Sequence, residues 1–253
     1  MKVSGQLPLQ YMTYNELKPK LIITRPVDAA NLFASFFEKE LKKDQIIISP
    51  LLEIKFFKRP KTLKQINCLI FTSSNGVKAA GQAANNNMRA LCVGDRTTNL
   101  ASSLGYSAEK IGDNVEQLLK TLCKGEKIAS EILHIHGKST KVDLVNQLRD
   151  AGFLCNEWIG YDQVAQNLSI PALSAFENGD KTILPIFSER TALLLKKQIP
   201  TLDRSHIIAI SSAVANVFLN VRAGSVSEAQ TPDLAGMKSL TKKVLQNLSL
   251  IHI

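Results

Sequence analysis

Apolar, β-branched runs recur along the chain, and four of them stop abruptly in small hydroxyl or glycine residues before passing into a stretch with helical spacing of its apolar positions. Leu69-Ile70-Phe71 gives way to Thr72-Ser73-Ser74, Leu91-Cys92-Val93 to Gly94-Asp95, Ile183-Leu184-Pro185-Ile186-Phe187 to Ser188, and Ile207-Ile208-Ala209-Ile210 to Ser211-Ser212. Uninterrupted apolar runs of this kind are buried on both faces, and alternation with helices predicts an α/β fold with parallel sheets. At each run's end a helix begins, and its free N–H groups and dipole favour anions.

The runs are also spaced alike. Val93 stands as far beyond Phe71 as Ala209 does beyond Phe187, and each second run is followed by a helical stretch, a glycine (Gly105, Gly224) and a short strand-like piece. Two similar parallel-sheet α/β domains account for this better than one large sheet. Leu21-Ile22-Ile23 reads as a further strand, with Asp28 placed to cap a helix running to about Lys43 whose buried stripe is Ala29, Leu32, Phe33, Phe36, Phe37 and Leu41. Two segments, Ile46–Phe56 and Phe153–Val164, are too long for one strand of one sheet, and Pro50 interrupts the first. They predict two crossings between domains: residues 1–46 with 168–253 as a discontinuous domain, 57–157 inserted into it, and 47–56 and 158–167 as connectors lying side by side in a two-stranded β ribbon. Residues 1–20 read as a loose leader without a signal-peptide core.

Composition narrows the function classes. With 45% hydrophobic and 21% charged residues among 253, the chain is a globular protein, and no apolar run reaches the roughly 18 residues a membrane span needs. The four cysteines, Cys68, Cys92, Cys123 and Cys155, lie far apart with no Cys-x-x-Cys pair, so free buried thiols and a cytoplasmic location are expected. A net charge of +9 favours capture of anionic ligands. No basic stripe interleaved with aromatics is present, which argues against nucleic acid.

Familiar catalytic signatures are missing. There is no Gly-x-Gly-x-x-Gly, no phosphate loop ending in Gly-Lys-Ser/Thr and no Gly-x-Ser-x-Gly elbow. His134 and His136 share a strand face, but no third ligand stands at useful spacing, so no metal is expected. What remains is the recurrence of hydroxyls at strand ends: Thr72, Ser73, Ser74, Thr97, Ser188, Ser211 and Ser212. Each taken singly is an ordinary helix cap; aimed together at one cleft between the domains, and joined by Arg25, Arg96, Lys138 and Arg190, they would hold several carboxylates. Tyr161, between Gly160 and Asp162 on the second crossing, is either packing or a proton donor facing that cleft.

In order along the chain, Ile23-Thr24-Arg25-Pro26, Ile48-Ser49-Pro50-Leu51-Leu52-Glu53-Ile54, Leu69 to Val77, Cys92 to Thr98, Gly112-Asp113-Asn114, Gly137 with its following helix and Gly152, Tyr161-Asp162, Phe187-Ser188 and Ala229 to Pro232 resemble the uroporphyrinogen-III synthase (HemD) family. The resemblance implies two α/β domains joined by a two-stranded ribbon, no cofactor, and cyclisation of hydroxymethylbilane in tetrapyrrole (haem) biosynthesis. It implies Tyr161 as catalytic residue and, as substrate-binding positions, Arg25, Thr72, Ser73, Ser74, Gly94, Thr97, Gly137, Lys138, Ser188, Ser211 and Ser212. The chain departs from the family pattern at Glu189, at Ile210-Ser211-Ser212 and at Asp233. A monomer is expected, with no membrane or nucleic-acid partner and at most a transient handover of substrate from hydroxymethylbilane synthase. The alternative is a non-catalytic two-domain binding protein for an anionic metabolite.

Overall fold

The computed structural model describes residues 19–61, 66–85, 87–125, 130–140 and 142–250. The leader read at residues 1–20 therefore lies almost wholly outside the described residues. The chain divides into two compact units: the first stops at Glu53 and resumes at Ala165, and the second is Ile54–Val164.

The first unit holds a five-stranded sheet of β1 (Lys20–Ile23), β2 (Ile46–Ile48), β9 (Thr182–Ile186), β10 (Leu202–Ala209) and β11 (Ala223–Glu228), paired in parallel. The strands lie in the order β11-β10-β9-β1-β2. Side chains alternate across them, so that Ile22, Leu184 and Ile207 face one apolar layer while Leu21, Ile23, Ile183 and Ile208 face the other. Helices α6 (Ile170–Glu177), α7 (Glu189–Gln198) and α8 (Ser212–Asn216) cover the first face; α1 (Val27–Ser35) and α9 (Leu234–Leu250) cover the second.

The second unit is built from β3 (Leu52–Phe56), β4 (Cys68–Phe71), α2 (Ser74–Ala80), β5 (Arg89–Val93), α3 (Asp95–Ser103), β6 (Ser107–Gly112), α4 (Val115–Lys124), β7 (Ile132–Gly137), α5 (Leu144–Asp150) and β8 (Cys155–Ala165). Its strand order is β3-β8-β7-β4-β5-β6. Leu69, Phe71, Leu133 and Ile135 pack with α2 on one face; Cys68, Ile70 and Ile132 pack with α4 and α5 on the other.

Counted from β4 in the second unit and from β9 in the first, the parallel strands of both sheets read third-second-first-fourth-fifth, with β3 added beyond β8 in the second. The similar halves expected from the sequence are thus one topology used twice, with a permutation: in the first unit the fourth and fifth strands, β1 and β2, come first in the chain. The two overlong segments explain themselves differently. Ile46–Phe56 breaks at Ser49–Leu51, around Pro50, into β2 of one sheet and β3 of the other, whereas β8 runs unbroken for 11 residues. Both β3 and β8 begin in one unit and end in the other. They are neighbours and antiparallel, since Gln166 N–H donates to the Leu51 carbonyl and Phe57 N–H to that of Gly160.

One helix is shorter than expected. Pro26, extended at φ −51° and ψ 145°, occupies the cap position of α1 and places Asp28 in the first turn instead of at the cap. The helix ends at Ser35, whose hydroxyl turns back onto the Leu32 carbonyl, and turns through residues 36–41 bring Phe37 and Leu41 to the core. The buried stripe is Ala30, Phe33, Ala34, Phe37 and Leu41, with Leu32 outside.

Candidate active site

In a sheet of this order, connections leave to opposite faces at the boundary between the first and fourth strands, and a crevice opens beyond their carboxyl ends. In the second unit the boundary is β4 beside β7, with α2 leaving to one face and α5 to the other. Thr72, Ser73 and Ser74 end β4, and Gly137 and Lys138 end β7.

Tyr161 reaches the same crevice through a bulge. His136 is paired with Ile159 and the next residue, Gly137, with Tyr161, so β8 carries one extra residue, Gly160. The slip turns consecutive residues to one face: Gly160 lies against Ala79 and Ile135, and Tyr161 joins the same apolar cluster. A Cβ on Gly160 would lie 2.8 Å from that of Ala79. The position demands glycine.

The phenol of Tyr161 is 7% exposed, and its oxygen lies 2.9 Å from Ser73 Oγ. Ser73 is the cap of α2 and accepts the Gly76 N–H at 3.3 Å, so one hydroxyl joins the helix end to the phenol. Phe56 meets the ring edge-on, with centroids 6.5 Å apart. Gly137 forms the floor, since a Cβ there would sit 2.6 Å from Tyr161 Cε2. Lys138 N–H donates to the Tyr161 carbonyl, while the Lys138 ammonium lies 3.9 Å from Asp162 and stays largely in water. Gly94 and Thr97 lie one strand further out, at the end of β5: Gly94 starts α3 at φ +76° with open space before it, and Thr97 is buried.

The far side of the same strand ends carries a polar column within the apolar layer. His134 and His136 stack with ring centroids 4.7 Å apart. Burial, and then the neighbouring His136, push the His134 imidazole down to about 3, and its Nε2 lies 3.3 Å from the Thr72 hydroxyl. His136 Nε2 lies 3.0 Å from Glu157 Oε2, and its Nδ1 2.8 Å from the Gly137 carbonyl oxygen. Among the described residues, no three His, Cys, Asp or Glu groups gather as a metal site.

The corresponding crevice of the first unit lies between β9 and β1. Here the Arg25 guanidinium stacks on the Phe187 ring at 3.9 Å, and Phe187 in turn meets Phe33 edge-on at 5.1 Å. Ser188 caps α7 by accepting the Thr191 N–H. Thr24, between these groups and the core, is 1% exposed, with no hydrogen-bond partner for its hydroxyl among the described residues. Ser211 and Ser212 sit one strand outward at the end of β10, as Gly94 and Thr97 do at β5; Ser211 makes no side-chain cap. The expected residues thus fall into two like sets, one per unit. The Ser73–Tyr161 hydrogen bond, the Gly137 floor and the paired histidines behind it escaped sequence reasoning. Only the glycine before Tyr161, in the middle of an apolar strand, signalled an irregularity there.

The family model of uroporphyrinogen-III synthase HemD matches residues 40–239. No curated protein is matched. Among solved structures, uroporphyrinogen-III synthetase from Helicobacter pylori superposes with a TM-score of 0.63 at 15% identity, covering 89% of this chain and 99% of that one. A mutant uroporphyrinogen III synthase from the extremely thermophilic bacterium Thermus thermophilus gives a TM-score of 0.49 at 15% identity over 90% and 99% of the two chains. The family match spans the crevices of β4, β7 and β9 and the whole crossing that carries Tyr161, and on that match the chain belongs to the uroporphyrinogen-III synthase family.

Proposed function

We propose that the chain cyclises hydroxymethylbilane to uroporphyrinogen III, inverting ring D through a spiro intermediate, in tetrapyrrole biosynthesis. Beyond family membership, the observation that carries this reading is the Tyr161 phenol held 2.9 Å from the capping hydroxyl of α2, at the strand ends of the second unit.

Hydroxymethylbilane carries an acetate and a propionate on every ring, so it is a flexible polyanion. The amide-rich strand ends around Thr72, Ser73, Ser74, Gly94, Thr97, Gly137 and Lys138 in one unit, and Arg25, Ser188, Ser211 and Ser212 in the other, bind its carboxylates in this reading, with 47–56 and 158–167 as connectors. Tyr161 gives a proton to the terminal hydroxyl, which leaves as water and generates an azafulvene cation. The substituted carbon of ring D attacks the cation to form the spiro centre. Fragmentation and reclosure at the free position invert the ring, and the proton released as it regains aromaticity balances the one donated. The unassisted cation closes directly at the free position, so bending the substrate is most of the catalysis.

Incubation with freshly prepared hydroxymethylbilane, followed by oxidation and separation of the isomers, tests the reading. The type III isomer is expected. Type I alone, formed at the rate seen without protein, would rule out the enzyme and leave a protein that merely binds.

A further inference from the structure

His136 stands between two acceptors. The Gly137 carbonyl oxygen, 2.8 Å from Nδ1, has no proton to give, and the Glu157 carboxylate, 3.0 Å from Nε2, takes one. A carbonyl can only accept, so Nδ1 is the donor in that contact. His136 is buried, whereas Glu157 reaches solvent.

The rest of this face is mostly apolar. His134, stacked on the ring, is held neutral by burial and by that same neighbour. Cys68 on β4 and Cys155 on β8 are thiols pushed up to about 11 by burial. From α4 and α5 the face receives Leu118, Leu122, Leu144, Val145 and Leu148, and Arg149 of α5 lies at its edge, its Nε–H donating to the Cys155 carbonyl.

The Gly137 carbonyl matters because the same residue carries the Tyr161 ring, whose Cε2 and Cζ would lie 2.6 and 2.8 Å from a Cβ at that position. Tilting the Gly137 peptide moves the surface on which the phenol rests. We propose that His136 is a positioning residue: seated between Glu157 and the Gly137 carbonyl, it holds the peptide that seats Tyr161 against Ser73, and loss of the imidazole loosens the phenol. This rests on the assignment of Tyr161 as proton donor, but its physical core is a property of the ligand-free protein.

In His136→Ala the NMR signals of the Tyr161 ring should shift, and kcat should fall about tenfold with KM little changed, a displacement of reacting groups rather than lost binding. His136→Asn, whose amide can donate to the carbonyl, should recover most of the lost kcat and return the Tyr161 signals toward their wild-type positions. Tyr161 signals unchanged in His136→Ala, or equal kcat in His136→Asn and His136→Ala, would each overturn the proposal. Should His136→Ala fail to fold, His136→Gln takes its place beside the Asn variant, with a longer amide that misses the Gly137 carbonyl and the same low kcat expected. Should hydroxymethylbilane not be turned over at all, the assigned reaction falls, while the Tyr161 signals still judge the clamp.

Discussion

The phenol of Tyr161 has a single polar partner among the described contacts, Ser73, and little access to water. Replacing it with phenylalanine removes the oxygen while keeping the ring on Gly137, so the structure should survive and the proton donor should not. Turnover by Tyr161→Phe is expected to drop about 10²-fold, the usual scale of lost general-acid catalysis, with the remaining product still type III; undiminished turnover would remove the residue from the chemistry. His134 leads to a different expectation. Its ring stays neutral in the native state down to about pH 3, whereas in the unfolded chain it takes up a proton near 6.5. Between those values the unfolded state binds more protons, so stability is full above 6.5 and falls as pH drops, by up to about 1.4 kcal/mol per pH unit. The single tryptophan, Trp158, lies in the second unit and reports its unfolding. Its urea midpoint should decrease between pH 7.5 and 5, and His134→Gln, which keeps a donor toward Thr72, should flatten that decrease. At this scale the sequence revealed which positions stood out but not what they touch. Tyr161 was marked by its crossing segment, yet its partner lies 88 residues away and is chosen by the fold alone.

Elements were most legible where periodicity and length agreed. The apolar runs at β4, β7, β9 and β10 became central strands because nothing but a doubly covered sheet can bury them. Pro50, which cannot donate to a ladder, marked where one sheet is left for the other. The first helix was overestimated because Phe36 and Phe37 continue an apolar spacing that turns satisfy equally well once Ser35 ends the helix. The bulge in β8 was the least legible feature, since a slip of one residue leaves no trace in an apolar strand beyond a glycine. That glycine is open to direct test. Gly160→Ala would drive a methyl into Ala79 and Ile135 at 2.8 and 3.0 Å, and moving either strand or helix to relieve it shifts Tyr161 as well. We expect a loss of about 1–3 kcal/mol, typical of overpacking, together with a fall in kcat larger than that of an equally destabilising change remote from the crevice. Urea unfolding and single-turnover kinetics on the same samples separate the two effects; loss of stability with full activity would show that the bulge does not aim the phenol.

At the level of the whole molecule, the excess of positive charge acts before any specific contact. A substrate bearing many carboxylates is drawn toward a chain of net charge +9, and salt weakens that attraction. Raising ionic strength from about 50 to about 300 mM should increase KM roughly fivefold and leave kcat nearly unchanged, because screening acts on capture and not on a buried phenol; a flat KM would mean that general charge plays no part. Similarity of the two halves was readable in the spacing of their strands, but the permutation was not, since it resides in which strand pairs with which.

The permuted order also constrains how the protein is made. Strand β1 is an interior strand of its sheet, yet its neighbour β9 is synthesised only after the entire second unit. The second unit can close on itself during synthesis, while β1, β2 and the Phe33–Phe37 face of α1 stay without their sheet for on the order of ten seconds of further elongation. Such a nascent chain trails an apolar N-terminal segment that only its last third can shelter. Growth conditions that slow elongation through residues 165–228, or shortage of holding chaperones, should therefore send newly made protein into aggregates through that segment, however stable the finished molecule is.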